Sequence, residues 1–290
     1  MLRILLPLLL LSLPAAARAD DAPLVVGTYA YPARDRTAAI APLADYVSAV
    51  AGRPTQLRLW PSPSALVAGF RAGEADVIVP NLHAYLQARD VAVTLPVPDV
   101  PAEQAARYRA VIVARAVDAL DALDVERAAS LRLALVGEDS ASGGFVPLAR
   151  LRGAGLTTED FAQVVYAGSH EAARLALQEG RVEVAALAAD VYDAMPVAGA
   201  TVLWRSAAIP PGPLLCRRDA RVPCADIAEA LLEAHRAAPA VLQALRAGWP
   251  EFGDAPRFVE AGAIADTIDT GRRGPLSLPR PAASSSPPRS

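Results

Sequence analysis

The stretch Leu131–Pro147, LRLALVGEDSASGGFVP, decides how the rest of the chain is read. Leu131 to Val136 is an apolar run of strand length; a short polar loop follows, and a helix is expected to start near Gly143. Small hydroxyl residues and paired glycines at such a junction gather free backbone N–H groups at a helix N-terminus. The helix dipole there favours negative charge, so the junction is suited to holding an anion.

The same unit recurs on both sides. Leu24–Thr28 is a short buried strand, followed by the loop Tyr29–Arg36 and a helix capped by Thr37 that runs to Ala51 and stops at Gly52. Leu57–Trp60 is the next strand, Ser62 or Ser64 opens a helix through Arg71, and strand Asp76–Val79 precedes a helical stretch Leu82–Arg89. Tyr108–Ala114 is a longer apolar strand, and Asp118–Arg127 a polar linker with helical character. After Leu131 come strand Val164–Tyr166, helix Ser169–Glu179 stopped by Gly180, strand Val184–Leu187, a short helix after Asp190, and strand Thr201–Trp204. Pro210–Pro213 makes a rigid turn; amphipathic helices Asp226–Ala238 and Ala240–Ala247 break at Pro239. This alternation predicts an α/β fold with mostly parallel sheets flanked by helices. Two β-α series joined near 108–114 and 201–208 predict two lobes with a double crossover. Ligands of open α/β sheets bind beyond the strand carboxyl ends, here in the cleft between the lobes. The expected division is 1–19 leader, 20–110 with 206–270 as lobe 1, 111–205 as lobe 2, and 271–290 a disordered tail rich in Pro and Ser.

Composition narrows the function. The chain has 290 residues, 53% of them hydrophobic, enough for a sizeable core in two domains. A net charge of -3 with no long basic run argues against nucleic acid. All 28 basic residues are arginine, which removes Schiff-base chemistry and a P-loop lysine together. Met1–Ala19 carries Arg3, an apolar run from Ile4 to Leu13, and Ala17-Arg18-Ala19, the pattern of a secretory signal cut before Asp20. The run is too short for a confident membrane span, and no cysteine follows the cut to carry a lipid. A periplasmic location is expected. Cys216 and Cys224 fit either a structural bridge or two unpaired thiols.

The candidate site residues sit at the junctions. Ser140 and Ser142, with the N–H groups of Ala141 to Gly144, offer donors to an anion; the competing reading is a plain helix cap by Ser142. Tyr166–Glu171 repeats the strand–turn–helix pattern and places His170 as a further donor at the same sheet edge. Asn81 and His83 follow a first-lobe strand and complete the cleft from the opposite side; His83 and Tyr85 are equally well read as packing residues. Of Tyr29 and Tyr31, one is expected to line a pocket and the other to pack. Ser140 or Ser142 with His170 and Asp190 has the residue types of a triad, but no G-x-S-x-G elbow is present. No H-E-x-x-H or paired-cysteine spacing is present either. Neither an enzyme, nor a metal, nor a cofactor is expected.

Several segments together resemble a known family: PLADYVSAVAGRP from Pro42, ALVAGFRAGEADV from Ala65, AYLQAR from Ala84, DSASGGFVP from Asp139, AGSHEAA from Ala167 and VLWRSAAIPPGP from Val202. In order and spacing, over about Leu24 to Trp249, they resemble the periplasmic phosphate/phosphite/phosphonate-binding proteins of ABC importers, of the type 2 two-lobed fold. The resemblance implies that Ser140-Ala141-Ser142-Gly143 stands for a serine-threonine-serine-glycine loop holding phosphoryl oxygens. It likewise implies that His170 in Gly168-Ser169-His170 contacts the same group, and that Asp190 falls near an acid that helps hold a ligand amine. The chain departs from the family at Pro63, Pro80 and Gly212, which replace two pocket tyrosines and an acid expected to read an amine substituent. The resemblance therefore implies phosphate, phosphite or a simple phosphonate rather than an aminoalkylphosphonate. It also implies a monomeric receptor handing its ligand to an ABC permease; a sensor subunit signalling to a histidine kinase is the alternative.

Overall fold

The computed structural model describes residues 22–262 except 33, 116–122 and 220. The expected leader, the tail and the first half of the 118–127 linker lie outside the described residues.

The first half of the chain lays down β1 (Leu24–Tyr29), α1 (Arg36–Ala51), β2 (Thr55–Trp60), α2 (Pro63–Arg71), β3 (Val77–Ile78), α3 (Leu82–Ala88), β4 (Ala92–Thr94), β5 (Val97–Pro98) and α4 (Ala102–Ala105). Then come β6 (Ala110–Ala114), α5 (Val125–Ala128), β7 (Arg132–Leu135), α6 (Val146–Gly153), β8 (Gln163–Tyr166), α7 (His170–Gln178), β9 (Val184–Ala188), α8 (Ala189–Ala194) and β10 (Thr201–Arg205). The chain ends with β11 (Leu215–Arg217), α9 (Cys224–Ala237), α10 (Pro239–Gly248) and β12 (Phe258–Val259), the last pairing with β5.

Two five-stranded sheets result, ordered β2-β1-β3-β11-β4 and β10-β6-β9-β7-β8. Taken from its β8 end, the second repeats the order of the first, although the sequence shows no tandem repeat. In the first sheet β1, β2 and β3 are parallel, while β11 is antiparallel to β3 and β4. In the second β7, β8 and β9 are parallel, while β6 is antiparallel to β9 and β10. Four strands of each sheet thus run one way. The opposing one is the strand the chain enters after crossing from the other sheet.

Burial follows this order. Central strands β6 (AVIVA) and β9 (VAALA) are buried at every position, whereas edge strands β2 and β8 alternate or stay partly exposed. Each sheet carries an apolar cluster on both faces. Each fully buried Leu, Ile or Val in them stabilises the fold by about 1.5–3 kcal/mol.

Local details differ from expectation for physical reasons. Asp35, not Thr37, caps α1, its carboxylate accepting from Ala38 N at 2.9 Å; Gly52 closes the helix at φ 60°. Ser62 is the cap of α2. Strands β4, β5, β11 and β12 are two or three residues long, too short for the period-2 signal on which the sequence reading relied. Cys216 and Cys224 are joined in a disulfide that ties β11 to the first turn of α9.

Candidate functional site

A cavity of about 360 Å³ lies between the two sheets. Its wall is assembled at the carboxyl ends of six parallel strands: Tyr31, Arg34 and Arg36 after β1, Pro61–Pro63 after β2, Asn81 after β3, Asp139–Ala141 after β7, His170–Glu171 after β8 and Asp190–Val191 after β9. Tyr108 before β6 and Pro250–Glu251 after α10 complete it.

The turn after β7 is built by its glycines. Residues Ala141–Phe145 form one π-helical turn that leads into α6, so the helical path opens two residues before Gly143. Ser140 is the cap rather than Ser142, accepting from Gly143 N at 3.3 Å. The turn folds back on the strand, with Val136 N donating to Gly143 O at 2.9 Å. A Cβ on Gly144 would come within 1.8 Å of Gly137 O, so only glycine permits this approach. The N–H groups of Ala141 and Ser142 open the turn and have no preceding helical carbonyl to donate to.

Ser142 is fully buried, and its Oγ lies 3.4 Å from Tyr108 Oη and 3.5 Å from His170 Nε2. The backbone N–H of Ala188 donates to His170 Nδ1 at 3.0 Å. Nδ1 is therefore the bare nitrogen, and in the neutral ring Nε2 carries the proton and points a donor towards Ser142. Enclosure by the cavity lowers the His170 pKa to about 4, so the ring is neutral at pH 7. Burial likewise raises Asp190 and Glu251, and pushes Tyr108 well up. Burial thus shifts Asp190, Glu251, Tyr108 and His170 towards their uncharged forms.

The cleft is bridged in this structure. Asp139, from the turn after β7, accepts from Ser64 N at the start of α2 at 2.9 Å, and its carbonyl accepts from Asn81 Nδ2 at 2.8 Å. His170 N donates to Tyr31 Oη at 3.2 Å.

Of the residues singled out in the sequence, Tyr29, Asn81, Ser140, Ala141, His170 and Asp190 line the cavity. Ser142 and Gly143 lie just behind the wall, Ser142 reaching the pair Tyr108–His170. Both Tyr29 and Tyr31 line it. His83 does not: it stacks on Phe145 with ring centroids 4.6 Å apart and bonds Gln87, outside the lining. Gly212 packs so tightly on Asn81 that a Cβ would sit 2.6 Å from its carbonyl, leaving no room for a side chain there. Sequence reading missed Arg34, Arg36, Tyr108 and Glu251 as wall residues, their neighbourhoods carrying no motif, and passed over Glu171 although it ends the Tyr166–Glu171 junction. Among the described residues no cluster of three His, Cys, Asp or Glu could hold a metal ion.

Two sheets of matching strand order, joined by two crossings and facing one another across an enclosed, donor-lined cavity, define a two-lobed solute-binding protein of the type 2 order. A family model for the periplasmic substrate-binding protein of ABC phosphonate transporters matches residues 28–255, and the chain belongs to that family. Among solved structures it is similar to PhnD1 from Prochlorococcus marinus in complex with methylphosphonate (TM-score 0.64, 17% identity, 86% of this chain and 97% of that one). It is also similar to XAC2383 from Xanthomonas citri bound to chloride (TM-score 0.65, 20% identity, 86% and 97%). A third, PA3383 from Pseudomonas aeruginosa, is described as a binding protein component of an ABC phosphonate transporter (TM-score 0.60, 19% identity, 82% and 81%). These likenesses concern the fold. No curated protein matches the chain.

Proposed function

We propose that this chain captures a small phosphorus oxyanion, phosphate, phosphite or a simple phosphonate, at the corner formed by Ser140, Ala141, Ser142, Gly143 and His170. The observation that carries this is the tautomer of His170. With Nδ1 tied to the Ala188 N–H, the ring turns an N–H donor towards the Ser142 hydroxyl, at the turn whose opening amides have no helical carbonyl to bond. Donors without a fixed counter-charge, in an enclosed site, suit reversible capture of an anion, because bonds to a charged acceptor are strong on their own.

The same tautomer argues against hydrolysis. An Nε2 that carries the proton cannot take one from Ser142, and a pKa of about 4 makes a weak base. Residues 20–110 with 206–270 and residues 111–205 form the two lobes of this reading, hinged at the crossings. The Asp139–Ser64 and Asp139–Asn81 bonds latch the closed form. The closed, loaded receptor is then presented to the membrane permease, after export by the N-terminal leader.

A thermal-shift panel of phosphate, phosphite, methylphosphonate, aminoethylphosphonate and sulfate tests the proposal. At a thousand-fold excess over Kd a ligand stabilises the native state by about 4 kcal/mol. A rise in Tm with at least one phosphorus oxyanion is expected; a flat panel would remove the reading.

A further inference from the structure

Beside the oxyanion corner stands a buried cation whose hydrogen-bonding capacity is only partly filled, Tyr29 being its one polar neighbour in the cage. Arg36, the first residue of α1, lines the cavity and is 5% exposed. Its guanidinium is caged by aromatic rings, with Cζ 3.8 Å from the Trp249 ring centroid, 4.7 Å from that of Tyr29 and 5.7 Å from that of Tyr31. Ring faces balance charge but accept no conventional hydrogen bond. Among the described residues, Arg36 Nε and Nη1 and the indole Nε1 of fully buried Trp249 find no acceptor. Buried donors of a cation left without an acceptor are costly, so Arg36 Nε and Nη1 favour the arrival of one.

Position sharpens the point. A cation at the first residue of a sixteen-residue helix faces the positive end of the helix dipole, so α1 and Arg36 together favour an incoming anion. Glu251 lies on the same wall, yet no ion pair joins it to Arg36 among the described residues. Tyr31 links this group to the oxyanion corner: its ring centroid is 6.3 Å from that of His170, whose Nε2 lies 3.5 Å from Ser142 Oγ. A cavity of about 360 Å³ has the room of about a dozen waters, more than a lone tetrahedral anion fills.

Resting on the proposed oxyanion site, we infer that the ligand is a phosphonate bearing a carboxylate on its short carbon chain, the phosphonate held by Ser142 and His170 and the carboxylate by Arg36. A planar guanidinium edge matches a carboxylate through paired N–H donors, and the aromatic cage holds that edge in place.

Titration calorimetry on the whole exported protein with phosphonoacetate, propylphosphonate and methylphosphonate decides the matter. Propylphosphonate has a similar length without the charge. A charge-assisted pair predicts that phosphonoacetate binds at least about ten-fold more tightly than propylphosphonate. In Arg36→Gln that ratio should fall to about one, and Arg36→Lys should keep part of it. A ratio at or below one in the native protein overturns the inference, as does a ratio that survives in Arg36→Gln. Should Arg36→Gln fail to fold, the native ratio together with Arg36→Lys still decides. If methylphosphonate binds and phosphonoacetate does not, this inference fails while the oxyanion reading stands. If none of the three binds, both fall.

Discussion

His170 should resist protonation until strongly acid pH, and the protein should lose stability as it finally charges. The ordinary value of 6.5 falls to about 4 because enclosure disfavours the cation, the nearby Glu171 offsetting only part of this. A group whose folded pKa is depressed stabilises the native state fully above its unfolded value. That contribution is lost as pH falls from 6.5 through about 4. At about 1.36 kcal/mol per unit the loss is about 3 kcal/mol. Asp190 and Glu251 are raised by burial, so their protonation on acidification acts in the opposite sense and must be subtracted. His170→Asn provides the reference, since an amide oxygen can replace Nδ1 as acceptor for the Ala188 N–H without titrating. Urea unfolding of both proteins from pH 7 to pH 4 should show their stability difference shifting by about 3 kcal/mol against the native protein. NMR of the three histidines should find one ring protonated at Nε2 and neutral at pH 5.5. Parallel stability curves, or a His170 that titrates near 6.5, would refute the tautomer argument and with it the donor assigned to the site.

Asp139→Ala removes the acceptor for the Ser64 N–H at the α2 terminus, and should weaken ligand affinity by about 1 kcal/mol while expanding the free protein in small-angle scattering. An unchanged radius and affinity would dismiss the latch. Gly144→Ala drives a methyl into Gly137 O and should lower stability by more than about 2 kcal/mol by urea titration, because backbone rather than a side chain must yield. Reduction of the Cys216–Cys224 bridge, separated by 8 residues, should cost about 2.5 kcal/mol on the loop-entropy scale, read from unfolding with and without dithiothreitol.

Much of the architecture was legible in the residues. The two strand–turn–helix junctions at Leu131–Pro147 and Tyr166–Glu171 are local features, and their glycines and hydroxyls announce the turns before any tertiary contact forms. Both converge in the structure on the Ser142–His170 pair. Short strands were not legible, because β11 has three residues after a proline-rich turn and takes its identity from pairing with β3 and β4. Arg36 ended a loop and carried no assigned role in the sequence; the rings of Tyr29 and Tyr31, and of Trp249 more than two hundred residues later, enclose it in the fold. Glu251 and Tyr108 reach the cavity in the same way, from segments whose sequence carries no recognisable chemistry. His83 had the right composition and the wrong direction, since α3 turns it onto Phe145.

The central claim is that Ser142 and His170 hold the oxygens of a phosphorus oxyanion. Its most direct test is calorimetric titration of methylphosphonate into the native protein and Ser142→Ala. The Ser142 hydroxyl makes only long contacts to Tyr108 and His170, so its removal should leave Tm nearly unchanged. Losing one donor to a charged acceptor should weaken binding by about 1.5–3 kcal/mol, ten-fold or more in Kd. Equal affinity in the two proteins would place the oxyanion elsewhere and contradict the account.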